Sequence, residues 1–246
     1  MSATITIARR ELRASFDTAV PYVVLCLGLP VLALFFFKAG PGGGFWQAGR
    51  ASMTELIVLV SRGVAVLASV LTMRVMAEER RSGTLEMLIT LPVKDHQVIL
   101  GKFLGTWLVV LAAIAFSLLF PLMMFKYPWH LGPLAWGPVA AGYLGVVLAS
   151  AAAVSIGLLI SSMTESQIIA YFVTFVILTV LFATSFLVDS IDNESARLVL
   201  NFISFDVRVR SMARGLITTR DVLYFLSITL LCLMAAFRVL ERRKWA

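Results

Sequence analysis

The sequence has few charged residues for its length. Of its 246 residues, 14% are charged and 60% are hydrophobic, and the mean hydropathy is +0.93. Apolar side chains therefore far exceed what the core of a soluble domain of this size needs. We conclude that lipid is the main solvent of the chain.

Residues that serve in catalysis or metal binding are also scarce. His96 and His130 are the only histidines, no H-E-x-x-H or G-x-S-x-G sequence occurs, and no apolar run contains a carboxylate pair, which argues against a membrane-embedded enzyme. Cys26 and Cys232 lie in apolar runs and match neither a disulfide framework nor a zinc spacing. The phosphate-loop sequence G-x-x-x-x-G-K-[ST] is missing as well. We therefore expect no catalytic residue, metal ion or cofactor in this chain.

The formal net charge of +7 does not indicate nucleic-acid binding. The basic residues lie beside apolar runs, where they attract anionic lipid headgroups and set the orientation of the chain. We expect the chain to bind membrane lipid and not nucleic acid.

Long apolar runs dominate the sequence. A helix needs roughly 18 or more apolar residues to cross the hydrocarbon of a bilayer. Six runs qualify or come close, at 19–37, 56–73, 103–125, 139–160, 168–187 and 222–240. They predict an all-α polytopic membrane protein with six transmembrane helices, in which residues 1–246 form a single transmembrane domain.

The distribution of basic residues predicts the orientation. With the N-terminus inside, more of the 21 Lys and Arg residues flank the inner ends of the spans than the outer ends. Because positively charged loops tend to stay in the cytoplasm, both termini are predicted to be cytoplasmic.

Two segments outside the spans have helical apolar stripes. Residues 1–18 are predicted to form an interfacial N-terminal helix, although a basic flank without fixed structure is an alternative. Residues 189–221 are predicted to form an amphipathic helix on the outer membrane surface that Gly215 ends, although residues 206–210 alternate as in a strand. The stripe of the first consists of Ile5, Ala8, Leu12 and Phe16, and that of the second of Leu198, Phe202, Phe205, Val209 and Met212.

The fourth apolar run has small residues at every fourth position. They are Ala141, Gly145, Ala149, Ala153, Gly157 and Ser161. Such a face allows another helix to pack closely in lipid. The partner helix belongs either to the same chain or to another subunit.

Arg62 interrupts the second apolar run. An arginine at the centre of a span costs about 2.5–3.5 kcal/mol on insertion scales, so a specific partner must offset its charge. One interpretation is that the side chain extends outward to Glu55 or the headgroups. The alternative places Arg62 on a dimer axis or beside a cavity, where it attracts an anionic group.

The loop at residues 78–95 carries apolar side chains among charged ones. Gly83 permits a sharp turn, residues 84–90 suit a short helix, and Pro92 discourages its continuation. Leu85, Met87 and Leu88 give this helix an apolar flank. Such a surface at a membrane's inner face indicates a protein partner.

This loop resembles the E-E-x-x-x-G-T-x-E-x-L-x-x-x-P pattern of ABC-2 type transporter permeases. The matching residues are Glu78, Glu79, Gly83, Thr84, Glu86, Leu88 and Pro92, followed by Gly101 and Lys102. The resemblance covers nearly the whole chain and is closest to the permeases associated with gliding motility and with nitrous oxide reductase maturation.

The resemblance implies a permease subunit in the inner membrane of a bacterium. It implies a second permease copy or a related permease as dimer partner, a separate ATP-binding subunit that supplies ATP and Mg²⁺, and a periplasmic or substrate-binding-like partner. It places ATPase docking on a short cytoplasmic coupling helix between spans 2 and 3. The docking residues would be Glu78, Glu79, Gly83, Thr84, Leu85, Glu86, Met87, Leu88 and Pro92. A non-transporting anchor or force-transmitting scaffold is an alternative function.

Overall fold

The computed structural model describes residues 3–39, 53–83, 95–126, 135–188 and 194–242. Within these ranges every regular element is a helix. The helices are α1 (Ala3–Phe16), α2 (Val20–Leu34, continued by a π-helical turn at Phe35–Ala39), α3 (Thr54–Val75), α4 (Ala77–Arg81), α5 (Asp95–Ser117), α6 (Leu119–Lys126), α7 (Trp136–Met163), α8 (Gln167–Val188), α9 (Glu194–Ile203), α10 (Phe205–Ala213) and α11 (Thr219–Arg242).

Five helical stretches within the described residues are long and apolar enough to cross a membrane. They are Thr54–Arg81, His96–Met124, Trp136–Met163, Gln167–Ser185 and Thr219–Glu241, and each covers one predicted span. The predicted span at 19–37 falls on α2, which reaches the required length only if it is taken together with α1, from which it is bent by 67°. The all-α class is therefore confirmed, with five or six spans.

Successive spans run in opposite directions. The end of α3 lies beside the start of α5, because the Val75 carbonyl accepts a hydrogen bond from Lys102. Ser117, at the end of α5, contacts Tyr143 near the start of α7. Consequently α1, α4 and the end of α11 lie at one end of the bundle, here called the α4 end. The helices α9 and α10 lie at the other, here called the α10 end.

The centre of the bundle consists of α7 and α3. In their most apolar windows, 72% of the residues of α7 and 67% of those of α3 are buried, against 17% for α11. The helices that surround this pair turn long apolar side chains outward, such as Phe172 on α8 and Leu230 on α11. Exposed apolar surface of this kind suits a bundle whose solvent is lipid.

The small-residue face of α7 packs inside the same chain. Ala149 and Ala153 are fully buried. A methyl group at Gly145 would lie 3.0 Å from the Met212 sulfur on α10, and one at Gly157 would overlap Thr72 on α3. Close approach of α3 and α10 therefore depends on this face, and its placement favours intramolecular packing over a subunit interface.

The N-terminal segment is helical, and it packs on the bundle with most of its predicted apolar stripe, since Ala8 is buried and Leu12 and Phe16 pack against the core. A methyl group at Gly101 of α5 would lie 2.8 Å from Ile7, and one at Gly105 would lie 2.6 Å from Glu11. Ile5, at the start of the predicted stripe, is exposed. Two glycines on α5 thus let α1 approach the bundle along the face that contains Ile7 and Glu11.

Residues 189–221 are predicted to form one surface helix, but their described part forms two helices, of which the second is largely buried. These are α9 and α10, separated at Ser204, whose hydroxyl accepts a hydrogen bond from the Val207 amide and caps α10. On α9 the apolar residues Leu198 and Phe202 are exposed. On α10, by contrast, Phe205, Val209 and Met212 are buried.

The boundaries of α10 follow from local chemistry. Gly215 has a φ of +88°, and its amide donates a hydrogen bond to the Met212 carbonyl. This left-handed conformation ends a helix at little cost only when the residue is glycine. Residues 206–210 therefore form part of a helix and not the strand that their alternation would favour. This helix packs against α3, α7 and α8.

We expect Ala149→Leu to destabilise the protein by about 1–3 kcal/mol, because a larger side chain on a close-packed face forces helices apart. Ala140→Leu is the matched control, since Ala140 lies on the same helix and is exposed. Thermal unfolding in detergent measures both variants. Equal unfolding temperatures for the two would contradict the packing of this face.

Candidate functional site

A buried lysine joins three segments at the α4 end. The Lys102 side chain is 1% exposed. Its ammonium group lies 2.8 Å from Glu11 Oε1, 2.7 Å from Glu79 Oε1 and 2.9 Å from the Val75 carbonyl oxygen. An ammonium group has three N–H donors, and these three acceptors match that number. We call Lys102, Glu11 and Glu79 the lysine hub.

The helix break at Met76 exposes backbone groups that the hub and α7 satisfy. The Met76 and Ala77 amides donate hydrogen bonds to Ser161 Oγ at 3.2 and 3.1 Å. The Val75 carbonyl is bound by Lys102. The join between α3 and α4 is thus fixed by side chains from α5 and α7, which holds α4 in a defined position below the core.

A second basic residue ties α4 to the connection between α7 and α8. Arg80 Nη1 donates a hydrogen bond to the Ser162 carbonyl at 2.6 Å, and Nη2 lies 3.5 Å from Glu165. The Arg80 side chain is largely buried, whereas Glu165 is largely exposed. Through Glu79 and Arg80, this short helix therefore contacts α5 and the start of α8.

A polar cavity lies next to the hub. It has a volume of about 330 Å³ between α1 and the α3–α4 stretch. Arg10 and Glu11 line it from α1, and Arg74, Glu78 and Glu79 line it from the opposite side. Charges of both signs face this space, so water and mobile side chains can enter it.

The structure describes only part of the predicted docking segment. Glu78 and Gly83 are exposed, and Gly83 makes the predicted sharp turn with a φ of +70°. Glu79 is directed inward to Lys102. The remaining docking residues, Thr84, Leu85, Glu86, Met87, Leu88 and Pro92, lie outside the described residues.

A cluster of four charges occupies the α10 end. Arg62 binds Asp206 through two hydrogen bonds, Nε to Oδ1 at 3.0 Å and Nη2 to Oδ2 at 3.1 Å. Asp206 also accepts a hydrogen bond from Ser185 at 3.0 Å and lies 3.7 Å from Arg210. Arg210 in turn binds Glu55 at 2.8 Å. Glu55 was the predicted partner of Arg62, and the structure places Asp206 there because α10 packs against α3.

Arg208 is the centre of a further buried group at the same end. Its Nη1 donates a hydrogen bond to Asp221 at 2.6 Å and its Nη2 donates one to the Phe202 carbonyl at 2.8 Å. The guanidinium lies 3.8 Å from the centroid of the Tyr224 ring. Arg208 thus holds α9, α10 and α11 together, and it does not face the headgroups as predicted for a surface helix.

Sequence reasoning missed the acidic partners of these groups. Glu11 lies in the predicted interfacial helix at 1–18, and Asp206 and Asp221 lie in the segment predicted as an amphipathic surface helix, 189–221, and the sequence indicates no ion pair for any of them. One signal was available, since Lys102 immediately precedes the predicted span at 103–125 and requires a counter-charge. The partner Glu11 lies 91 residues away in sequence, however, so no local spacing identifies it.

The described residues contain no cluster of His, Cys, Asp and Glu side chains that could hold a metal ion. Their buried charges form ion pairs that join helices. The fold and the exposed apolar surface define a multi-pass membrane protein.

Comparison with known protein families identifies the class. Residues 52–240 match the family described as ABC-2 family transporter protein. The chain belongs to this family, and it is the membrane permease component of an ABC transporter and not itself the ATPase. The comparison with curated proteins found no match.

We expect Lys102→Met to destabilise the protein, by at most about 3–5 kcal/mol, because it removes the buried ammonium group that Glu11 and Glu79 share. Arg238→Met is the control, since Arg238 forms an exposed pair with Glu241 and such pairs contribute about 0–1 kcal/mol. Urea unfolding in detergent compares the two variants. If Lys102→Met unfolds at the wild-type urea concentration, the hub does not stabilise the fold.

We expect Asp206→Asn to destabilise the protein more than Glu55→Gln does. Asp206 is buried beside two arginines, whereas Glu55 is partly exposed and pairs with one. Removing the buried carboxylate leaves Arg62 and Arg210 without their shared counter-charge, and the loss is typically several kcal/mol. Unfolding temperatures in detergent check the order, and the reverse order would contradict it.

Proposed function

We propose that this chain couples ATP hydrolysis by a separate ATPase subunit to the export of a substrate or to work on an extracytoplasmic partner. The ATPase docks on the loop at residues 78–92, and the lysine hub passes the movement of that loop to α1 and α5. ATP and Mg²⁺ bind the partner subunit.

The position of the hub carries this proposal. The described part of the docking loop, residues 78–83, includes most of α4 and ends two residues after that helix, and the next described residue, Asp95, begins α5. Lys102 of α5 and Glu79 of α4 are 2.7 Å apart. Both ends of the docking segment are thus joined by one buried ion pair, and a force on the segment acts on both helices at once.

The proposed orientation has both termini in the cytoplasm. The described parts of the chain place α1 and the end of α11 at the α4 end, which also carries the docking segment. A cytoplasmic ATPase requires this end to face the cytoplasm, in agreement with the distribution of Lys and Arg. The proposed location is the inner membrane of a bacterium.

Permease subunits of this kind would work as a pair, either with a second copy or with a related permease. The exposed apolar faces of α8 and α11 offer surface for such pairing as well as for lipid. At the α10 end, the exposed residues Leu216 and Ile217 are available to a periplasmic partner. The similarity to gliding-motility and nitrous oxide reductase maturation permeases is part of this proposal.

Exchange of apolar docking residues for charged ones tests the proposal. We expect Leu85→Asp combined with Leu88→Asp to abolish co-purification of the ATPase, because a buried apolar cluster at the centre of an interface can contribute a few kcal/mol. The amount of permease in the membrane should not change. Pull-down of the ATPase with the tagged permease measures the effect.

The matched control is Leu216→Asp combined with Ile217→Asp, which alters exposed apolar residues at the α10 end. This variant should retain the ATPase. Full retention by the docking variant would exclude this docking site. In reconstituted complex, ATP hydrolysis that rises with added cargo indicates transport, whereas hydrolysis that responds only to an extracytoplasmic partner indicates the scaffold function.

A further inference from the structure

A cavity opens between α2 and α3 on the side of the bundle. Its volume is about 500 Å³, within the range of roughly 300–1,000 Å³ that is typical of small-molecule sites. Its walls are almost entirely apolar, and the lining includes Leu27, Gly28, Val31, Leu59, Gly63 and Arg62. Leu27 and Val31 are exposed, so the cavity opens sideways toward the lipid.

Two glycines keep this cavity open. A methyl group at Gly28 of α2 or at Gly63 of α3 would have no atom within 4 Å. This differs from Gly101 and Gly105, where the neighbouring helix fills the space. Glycines that face helices in membranes usually permit close packing, whereas here they leave a volume for something else to occupy.

A smaller cavity, of about 100 Å³, lies beside the same glycines and reaches α5 at Ala113 and Ser117. The packing of α2 on α3 is therefore incomplete on both sides of these glycines. An empty apolar volume forfeits dispersion contacts, so an apolar occupant would stabilise this region.

Among the described residues that line the larger cavity, Arg62 is the one that carries a charge. Its side chain is 28% exposed, while Asp206 is 1% exposed and lies behind it. The exposed part of this guanidinium borders the cavity, and a guanidinium attracts an oxyanion through charge-assisted hydrogen bonds. Asp206 also has Arg210 and Ser185 as partners, so its charge does not depend on Arg62 alone.

We infer that this cavity binds an anionic amphiphile, with an acyl chain along the apolar walls and an acidic group at Arg62. This deepens the proposed function by naming the class of ligand that the permease recognises. Binding to the isolated permease requires no ATPase, so the inference and the proposed function fail in different experiments.

The depth of Arg62 distinguishes this ligand from the surrounding lipid. Arg62 lies about 12 Å along α3 from its first residue, Thr54. A bulk phospholipid keeps its headgroup at the interface, but a ligand of Arg62 has its acidic group drawn down toward the hydrocarbon. Such a position is favourable only if the guanidinium compensates the charge.

A neighbouring helix is a poorer occupant. An α-helix with its side chains is about 10–12 Å across, so a second copy of the chain would cover the opening without filling the space at Gly28 and Gly63. An acyl chain is thin enough to enter between the helices. The apolar walls also disfavour a water-soluble anion, which has no chain to bury.

Photolabelling tests the inference. The purified permease in phosphatidylcholine vesicles is exposed to a diazirine-bearing stearic acid, at a pH where it is ionised, or to the matching neutral stearyl alcohol. Labelled peptides of α2 and α3 are quantified by mass spectrometry. We expect the acid to label them about tenfold more than the alcohol, as a charge-assisted contact predicts.

The variants separate the two parts of the site. Gly63→Leu fills the cavity and should reduce labelling by both probes about tenfold. Gly137→Leu is its control, because Gly137 also has open space but lies outside the cavity. Arg62→Gln should remove the preference for the acid, and Arg62→Lys should restore part of it. If Arg62→Gln fails to fold, the comparison of Gly63→Leu with Gly137→Leu still shows whether the probe binds in the cavity.

Three results would overturn the inference. Equal labelling by acid and alcohol in the wild-type protein would remove the role of Arg62. Equal effects of Gly63→Leu and Gly137→Leu would remove the role of the cavity. Absence of label from α2 and α3, with a change of oligomeric state in Gly63→Leu by light scattering, would assign this face to a second copy of the chain.

Discussion

The Lys102 ammonium group lies in a setting where water cannot balance its charge, and the chain supplies two carboxylates and a carbonyl in its place. A buried charge that lacks partners costs several kcal/mol. The elements that carry those partners are therefore fixed relative to α5. As a result α1, which is too short to span a membrane by itself, is held against the bundle, and α2 begins from a defined position.

The need to pair buried charges also explains why α10 is inserted among the helices at the α10 end. A segment with a buried arginine, Arg208, and a buried aspartate, Asp206, is inserted among apolar helices, because Arg62 of α3 and Asp221 of α11 complete its ion pairs. The apolar side of α10 then packs on the small-residue face of α7, where Gly145 leaves room for Met212. Charge pairing and close packing thus fix α10 together, and neither would suffice alone.

The sequence was sufficient for the features that depend on local physics. Apolar run length located the spans, and Gly83 and Gly215 marked real turns. The pairing of charges was not predictable, because Arg62 and Asp206 are 144 residues apart. Periodicity showed that Phe205 and Val209 share an apolar face, but it does not state whether lipid or protein covers that face. The burial of α10 therefore became visible only in three dimensions.

The two helices that form the lateral cavity differ in how firmly they are held. Thr72 of α3 fits against Gly157 of α7, and α3 is among the most buried helices of the bundle. In contrast, α2 borders cavities beside Gly28. A displacement of α3 must therefore disturb the core, whereas α2 can move at lower cost.

This asymmetry bears on how the two ends of the protein communicate. Glu11 of α1 belongs to the lysine hub, and α1 leads into α2 through a bend of 67°. The lysine hub and the lateral cavity are therefore connected along the chain through α1 and α2. Under the proposed coupling, a displacement of the hub would reach the cavity through these two helices, and α3 would serve as its fixed wall, because Arg62 is bound to Asp206 of α10.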